Sequence, residues 1–176
     1  MKVINLFGGP GTGKSTTAAG LFFLMKRDNM NCELVTEFAK ELVWDDHKVD
    51  DQISIFAEQY HRLHRLKDKV EYAITDSPLF LSTVYGKSCA WQWPHFPHFI
   101  EEVYHSFDNI NVMLRRVKPY HKEGRYHDED GAKILDNLIL ENIKYQGIKM
   151  SLHLDIDADE TAPNRILTYI KKSIID

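Results

Sequence analysis

The stretch Gly8-Gly9-Pro10-Gly11-Thr12-Gly13-Lys14-Ser15 restricts what this chain can become more than any other part of it. It fits the pattern G-x-x-x-x-G-K-[ST] in full and stands between an apolar run, Val3 to Phe7, and a helix-forming segment that starts near Lys14. Glycines let the backbone curl so that successive N–H groups face one point, and a helix beginning there adds its positive end. A strand, a tight turn and a helix must follow one another, and the turn is a seat for a phosphate-like anion.

The rest of the sequence supplies the frame for that turn. Short apolar runs at 2–7, 32–36, 71–75, 109–117 and 151–156 read as strands. They alternate with helical segments at 14–26, 51–70, 98–107, 131–146 and 163–174. Helix 51–70 is the clearest, because Ile53, Phe56, Tyr60, Leu63, Leu66 and Val70 recur at three- and four-residue steps as one apolar stripe. Alternation of this kind builds parallel β-α-β units with both sheet faces covered. The expected fold is α/β, a three-layer sandwich with a five-stranded parallel sheet. With 176 residues and no repeat, low-complexity tract or Gly/Ser linker, the chain reads as one domain, 1–176.

Ligands of such sheets sit outside the carboxyl ends of the strands, and four of the five ends carry charge: Glu37, Asp76, Arg115 with Arg116, and Asp157. In the glycine-rich turn, Gly8, Gly9, Pro10, Gly11, Thr12 and Gly13 form the cradle for a nucleotide's β-phosphate. Lys14 would reach the β- and γ-phosphates, Ser15 would ligate Mg²⁺, and Thr16 would point toward the α-phosphate. A site of this type needs a carboxylate to complete the metal shell, and Asp76 is placed for it. Glu37 emerges close by and can accept the proton of an attacking hydroxyl. The two carboxylates compete for the roles of base and metal anchor. Glu41, one helical turn on, reads as a solvated neighbour.

The polar stretch after the fourth strand, approximately 115–131, reads as a lid. Arg116 and Arg125 are its candidates for stabilising transferring phosphate, with Arg115 facing the other way because adjacent strand residues alternate. Trp91 to Phe99 is either a pocket wall for a planar ring or a plug over the helices. Phe38, Trp44 and Tyr60 are further pocket candidates, whereas Phe56 and Leu63 read as core, and His61 and His64 as the solvated side of their helix.

Several classes are disfavoured. A net charge of −4 argues against a broad electropositive surface, though a local basic groove is compatible with it. Two cysteines, Cys32 and Cys89, form no disulfide framework, and a reduced, cytoplasmic setting is expected. No apolar run is long enough to span a membrane. A guanine-reading Asn-Lys-x-Asp, expected of a GTP-binding switch, does not occur. An NTPase coupling ATP hydrolysis to a partner is the alternative to a kinase, but Asp76 is followed by Ser77 rather than by glutamate.

Gly8 to Ser15, the strand end at Glu37-Phe38, helix 51–70, Thr75-Asp76-Ser77 and the Arg116–Arg125 lid together resemble the nucleoside-kinase-like branch of P-loop kinases. The likeness is to ribosylnicotinamide kinase domains and related AAA-type ATP-binding proteins of phages. It extends to phage kinases that phosphorylate 5-hydroxymethyluracil within DNA. The resemblance implies ATP and Mg²⁺ held by Lys14 and Ser15, an acceptor hydroxyl served by Asp76 or Glu37, and lid arginines Arg116 and Arg125. The acceptor would be a nucleoside, a nucleotide or a hydroxymethylated base, free or in DNA, with a homodimer compatible with this reading. The tryptophan-proline segment Trp91 to Pro97 departs from the ribosylnicotinamide kinases where acceptor contacts are expected.

Overall fold

The computed structural model describes residues 1–86, 93–145 and 153–175. Strands β1 (Lys2–Phe7), β2 (Cys32–Val35), β3 (Tyr72–Thr75), β4 (Asp108–Arg115) and β5 (Leu154–Asp157) form one sheet in the order β2-β3-β1-β4-β5. Every pairing is parallel. Helices α1 (Lys14–Arg27), α2 (Phe38–Trp44), α3 (Gln52–His64), α4 (Ser82–Tyr85), α5 (Phe96–His105), α6 (Glu129–Tyr145) and α7 (Ala162–Ile175) connect and flank the strands. This is the five-stranded parallel α/β sandwich expected from the alternation of elements.

The two faces of β1 show how the layers are held. Ile4 and Leu6 point into a core shared with Leu21 and Met25 of α1 and Ile166 and Ile170 of α7. Val3 and Phe7 belong to the opposite core, with Phe56 and Leu63 of α3, Ile100 and Tyr104 of α5, and Ile139 of α6. Each fully buried side chain of this size contributes about 1.5–3 kcal/mol relative to exposure. Asn5 is also buried, and its amide donates to Asn109 Oδ1 at 2.8 Å and Asn111 Oδ1 at 3.1 Å, which satisfies a polar group inside the sheet.

Three expectations need correction. Helix α3 stops at His64 rather than at Val70. Residues 65–69 are turns, with Asp68 at φ 63, a left-handed conformation that no helix continues through. Its buried face is also rotated from the apolar stripe. Ile53 is 40% exposed, while Gln52, Ile55, Phe56, Gln59 and Leu63 are buried. Finally, the sequence reading omits α2 as an element, although it places Glu41 one helical turn beyond Glu37; the helix has only seven residues, and none is fully buried.

Smaller shifts occur elsewhere. Helix α5 starts at Phe96 with Pro97 in its first turn, and α6 starts two residues before Gly131. The beginning of the fifth strand expected at Ser151, and Cys89, Trp91 and Lys87, lie outside the described residues. No helix among the described residues is long and apolar enough to cross a membrane.

Candidate active site

The carboxyl ends of β1, β2 and β3 converge on one cavity. After Phe7 the chain turns through Gly8 to Gly13, and Gly13, at φ 107, starts α1 without a side-chain cap. That φ strongly favours glycine. Thr17 N–H is the first to close an intrahelical bond, to Gly13 C=O at 2.9 Å. The amides of Lys14, Ser15 and Thr16 therefore have no helical acceptor, and the first turn holds no acidic residue. Free amides at a helix start of this kind can meet an anion.

Lys14 is 8% exposed, and its Nζ donates to the Gly9 carbonyl at 2.9 Å. Burial pushes its pKa down, while Glu37, Asp76 and Asp136 pull it up. Asp76 is 3% exposed, and its Oδ1 has no hydrogen-bond partner. A buried, unpartnered carboxylate oxygen costs free energy unless a cation or proton donor meets it. Burial raises the pKa of Glu37; the Lys14 ammonium opposes that shift, and Asp76 adds to it.

The cavity has a volume of 370 Å³. It is lined by Gly11, Gly13, Lys14, Ser15 and Thr16, and by Glu37, Ser77 and Pro78. Val43, Val49, Ile55, Leu81 and Tyr85 line the same cavity. Gln52, 8% exposed, also lines it, and its side-chain amide makes no hydrogen bond among the described residues. Residues Gly124 to His127 border the same cavity, and the Tyr85 and His127 rings stack at 6.5 Å.

The two lid arginines are not equivalent. Arg125 lines the cavity, with its guanidinium 5.4 Å from the Tyr120 ring. Arg116 does not line it. Its Nε donates to Asp136 Oδ2 at 3.0 Å, its Nη2 donates to the Pro10 carbonyl at 2.8 Å, and its Nη1 is buried without a partner. Tyr120 lies between the two guanidiniums and against Gly11. Arg115 turns away to Asp157, at 3.0 Å, as strand alternation predicts.

Asp136 and Tyr120 were missed in the sequence. Asp136 had a readable signal: it interrupts the buried face of α6 between Ala132, Leu135 and Ile139. Gln52 and Gln59 had a similar one, as amides on the buried side of α3. Other candidates are displaced from the site. Phe38 packs under the Arg62 guanidinium at 5.1 Å, Tyr60 stacks on His64 and meets Phe107, and Trp44 lies against Gly124; none lines the cavity.

Glu41 is bound by both terminal nitrogens of Arg62 at 2.7 Å rather than simply solvated. Within Trp91 to Phe99, the described residues act as a plug: Phe96 and Phe99 meet Phe56 edge-on at 5.7 and 5.9 Å, and Trp93 is exposed. His61 and His64 are exposed, and no group of three His, Cys, Asp or Glu among the described residues is arranged to hold a metal by itself.

The sequence matches the family described as AAA domain over residues 3–157. No curated protein is matched. Among solved structures, the fold is similar to deoxyadenosine kinase from M. mycoides with bound dATP. That likeness has a TM-score of 0.61 and 20% identity, over 97% of this chain and 100% of the other. The same enzyme with dCMP and dCDP gives a TM-score of 0.59 at 16% identity, over 98% and 99%. The Mycobacterium tuberculosis APS kinase with AMPPNP and APS gives 0.51 at 13%, over 97% of both chains. The sheet and its helices are thus arranged as in these kinase structures.

Proposed function

The chain belongs to the AAA-domain family, and we propose that it is a P-loop kinase that transfers the γ-phosphate of ATP to a hydroxyl of a nucleoside, nucleotide or hydroxymethylated base. One observation carries the reading: residues of the glycine-rich turn and a group of apolar side chains line a single cavity, with Glu37 among the lining residues. Hydrolysis needs room only for water. A cavity lined in part by Val43, Val49, Ile55 and Leu81, with the unpaired amide of Gln52, suits a planar ring that carries hydrogen-bonding groups. The similar structures are those of kinases bound to nucleotides. We take residues 1–176 as one such domain, with its lid at about 115–131, acting in an ATP-rich, reducing cytoplasm.

The residues fit a divalent cation of the Mg²⁺ type. The Ser15 hydroxyl lines the cavity, and the orphaned Oδ1 of Asp76 is buried nearby at the neighbouring strand end. When bound, such an ion would neutralise phosphate charge. Lys14 exchanges its Gly9 carbonyl for phosphate oxygens, and the free amides of the first turn of α1 hold the donor in line.

The acceptor oxygen then forms its bond to phosphorus as the bond to the ADP oxygen breaks. Its proton passes to Glu37 or Asp76. Burial brings the carboxyl of Glu37 closer to working pH, which favours it as base, and leaves Asp76 to the metal. Arg125 on the cavity wall is the group that stabilises the transferring charge, while Arg116, held by Asp136 and the Pro10 carbonyl, braces the loop of the seat.

The test is γ-³²P transfer from ATP-Mg²⁺ to a panel of nucleosides and nucleotides, run beside duplex DNA containing 5-hydroxymethyluracil. Label on a free acceptor establishes a metabolite kinase. Label on DNA establishes the polymer-directed reading and points to the exposed Lys118 and Lys122 within the lid. Phosphate release with no labelled acceptor overturns the kinase reading.

A further inference from the structure

We propose that Gln59 is a positioning residue, tying the backbone on both sides of Glu37 to the end of β3 so that the carboxylate is held against the phosphate seat. Gln59 lies on the buried face of α3, among Ile55, Phe56 and Leu63, and is 3% exposed. An amide in such surroundings is unfavourable unless its donors and acceptor are matched. Every bond it makes goes to the two carboxylate-bearing segments. Its Oε1 accepts the Phe38 N–H at 3.2 Å, and its Nε2 donates to the Thr36 carbonyl at 3.3 Å; these two residues bracket Glu37. The same Nε2 reaches Thr75 Oγ1 at 3.4 Å, and that oxygen also accepts the Ser77 N–H at 3.1 Å; Thr75 and Ser77 bracket Asp76.

The arrangement has a structural cause. The β2–β3 ladder ends at the pair Val35 and Thr75, so beyond it the peptide groups around Glu37 have no strand partner. Buried backbone groups must still be paired. The Gln59 amide continues the ladder by one side-chain rung, which a leucine at this position would not supply. The Arg62 guanidinium adds only a 3.5 Å approach to the Thr36 carbonyl from the exposed side. With the rung intact, Glu37 keeps a fixed position relative to Lys14. Without it, the β2–α2 connection is free to shift. Misplacement of a reacting group by about 1 Å costs on the order of 100-fold in rate.

The catalytic consequence rests on the kinase reading above, whereas the holding role does not. The experiment therefore has two arms on Gln59→Met, with Thr75→Val as a milder variant should the first not fold. In the first arm, amide hydrogen exchange is read at Phe38 and Ser77. The expected result is a large loss of protection at Phe38 in Gln59→Met, with the remainder of α3 still protected, and at Ser77 in Thr75→Val, which removes that amide's acceptor. Unchanged protection at Phe38 in Gln59→Met overturns the proposal.

In the second arm, single-turnover transfer is measured alone and on a Glu37→Gln background. The expected result is a kcat loss of roughly 100-fold, with nucleotide Kd and acceptor KM within about twofold. Little further loss is expected once Glu37 is already replaced. A loss that multiplies in full on the Glu37→Gln background shows that Gln59 does not act through Glu37 and also overturns the proposal. If the wild-type protein labels no acceptor, the kinase reading fails, and the exchange arm alone decides whether Gln59 holds the two strand ends.

Discussion

Asp136 of α6 grips Gly9 from behind: its Oδ1 accepts the Gly9 N–H at 2.7 Å, while its Oδ2 holds Arg116 at 2.9–3.0 Å. Arg116 in turn reaches the Pro10 carbonyl at 2.8 Å. One carboxylate thus fixes both the near edge of the phosphate seat and the arginine beside it. Asp136→Ala should leave the partly buried guanidinium and the Gly9 amide without their acceptor and cost about 1–3 kcal/mol of stability. Asp136→Asn, which keeps an oxygen for Gly9, should lose less. Denaturant unfolding of the two variants checks this, and equal losses would refute the double role.

Lys14→Ala should abolish turnover with the fold intact. The ammonium is buried inside the glycine-rich turn, and Glu37, Asp76 and Asp136 all favour its charged form. Its one hydrogen bond, to the Gly9 carbonyl, is not one that holds two elements together. Circular dichroism and transfer assays run in parallel test this. Measurable turnover in a folded variant would remove Lys14 from the mechanism.

Asp76→Ala should lose turnover while nucleotide binding is largely kept, because the seat itself is built from the amides of α1 and not from this side chain. The buried Oδ1 has no partner to lose, so its removal should not destabilise the protein and can raise its melting temperature. Calorimetry with ATP, with and without Mg²⁺, separates the effects. The variant's binding should no longer respond to the cation. Wild-type turnover would instead pass both roles to Glu37.

The five parallel strands of an α/β sandwich, the glycine-rich turn between β1 and α1, and the placing of Glu37 and Asp76 at strand ends were legible because they follow from local chemistry. A Gly-rich turn needs its glycines, and a parallel strand needs a continuous apolar run. What was not legible depends on tertiary partners. Arg116 and Arg125 look alike in sequence, yet only Asp136, twenty residues away, decides that Arg116 is drawn under the loop while Arg125 faces the cavity. The stripe through Ile53 and Tyr60 misled because the buried face of α3 contains two glutamines, which an apolar count passes over. Helix α2 escaped because it has only seven residues, too few for an apolar stripe to repeat.

Glu37 supplies the sharpest pH prediction. Its folded pKa is raised above the ordinary 4.5, chiefly by burial, with Asp76 adding to the shift and Lys14, Lys40 and Arg125 opposing it. A carboxyl raised in this way binds protons more tightly folded than unfolded. Its favourable contribution is complete below the unfolded pKa and is lost as pH rises through the folded one. Glu37→Gln carries no such penalty. Its stability advantage over wild type should therefore be smallest below about pH 4.5 and grow as pH rises, before levelling off above the folded pKa. Melting temperatures of the two proteins from pH 4 to 8 in a common buffer read this directly. The same variant should transfer phosphate far more slowly, so gain in stability and loss of activity would come from one buried carboxylate. A difference in melting temperature that stays flat with pH would show that Glu37 ionises as it does in the unfolded chain. The case for it as the base over Asp76 would then be lost.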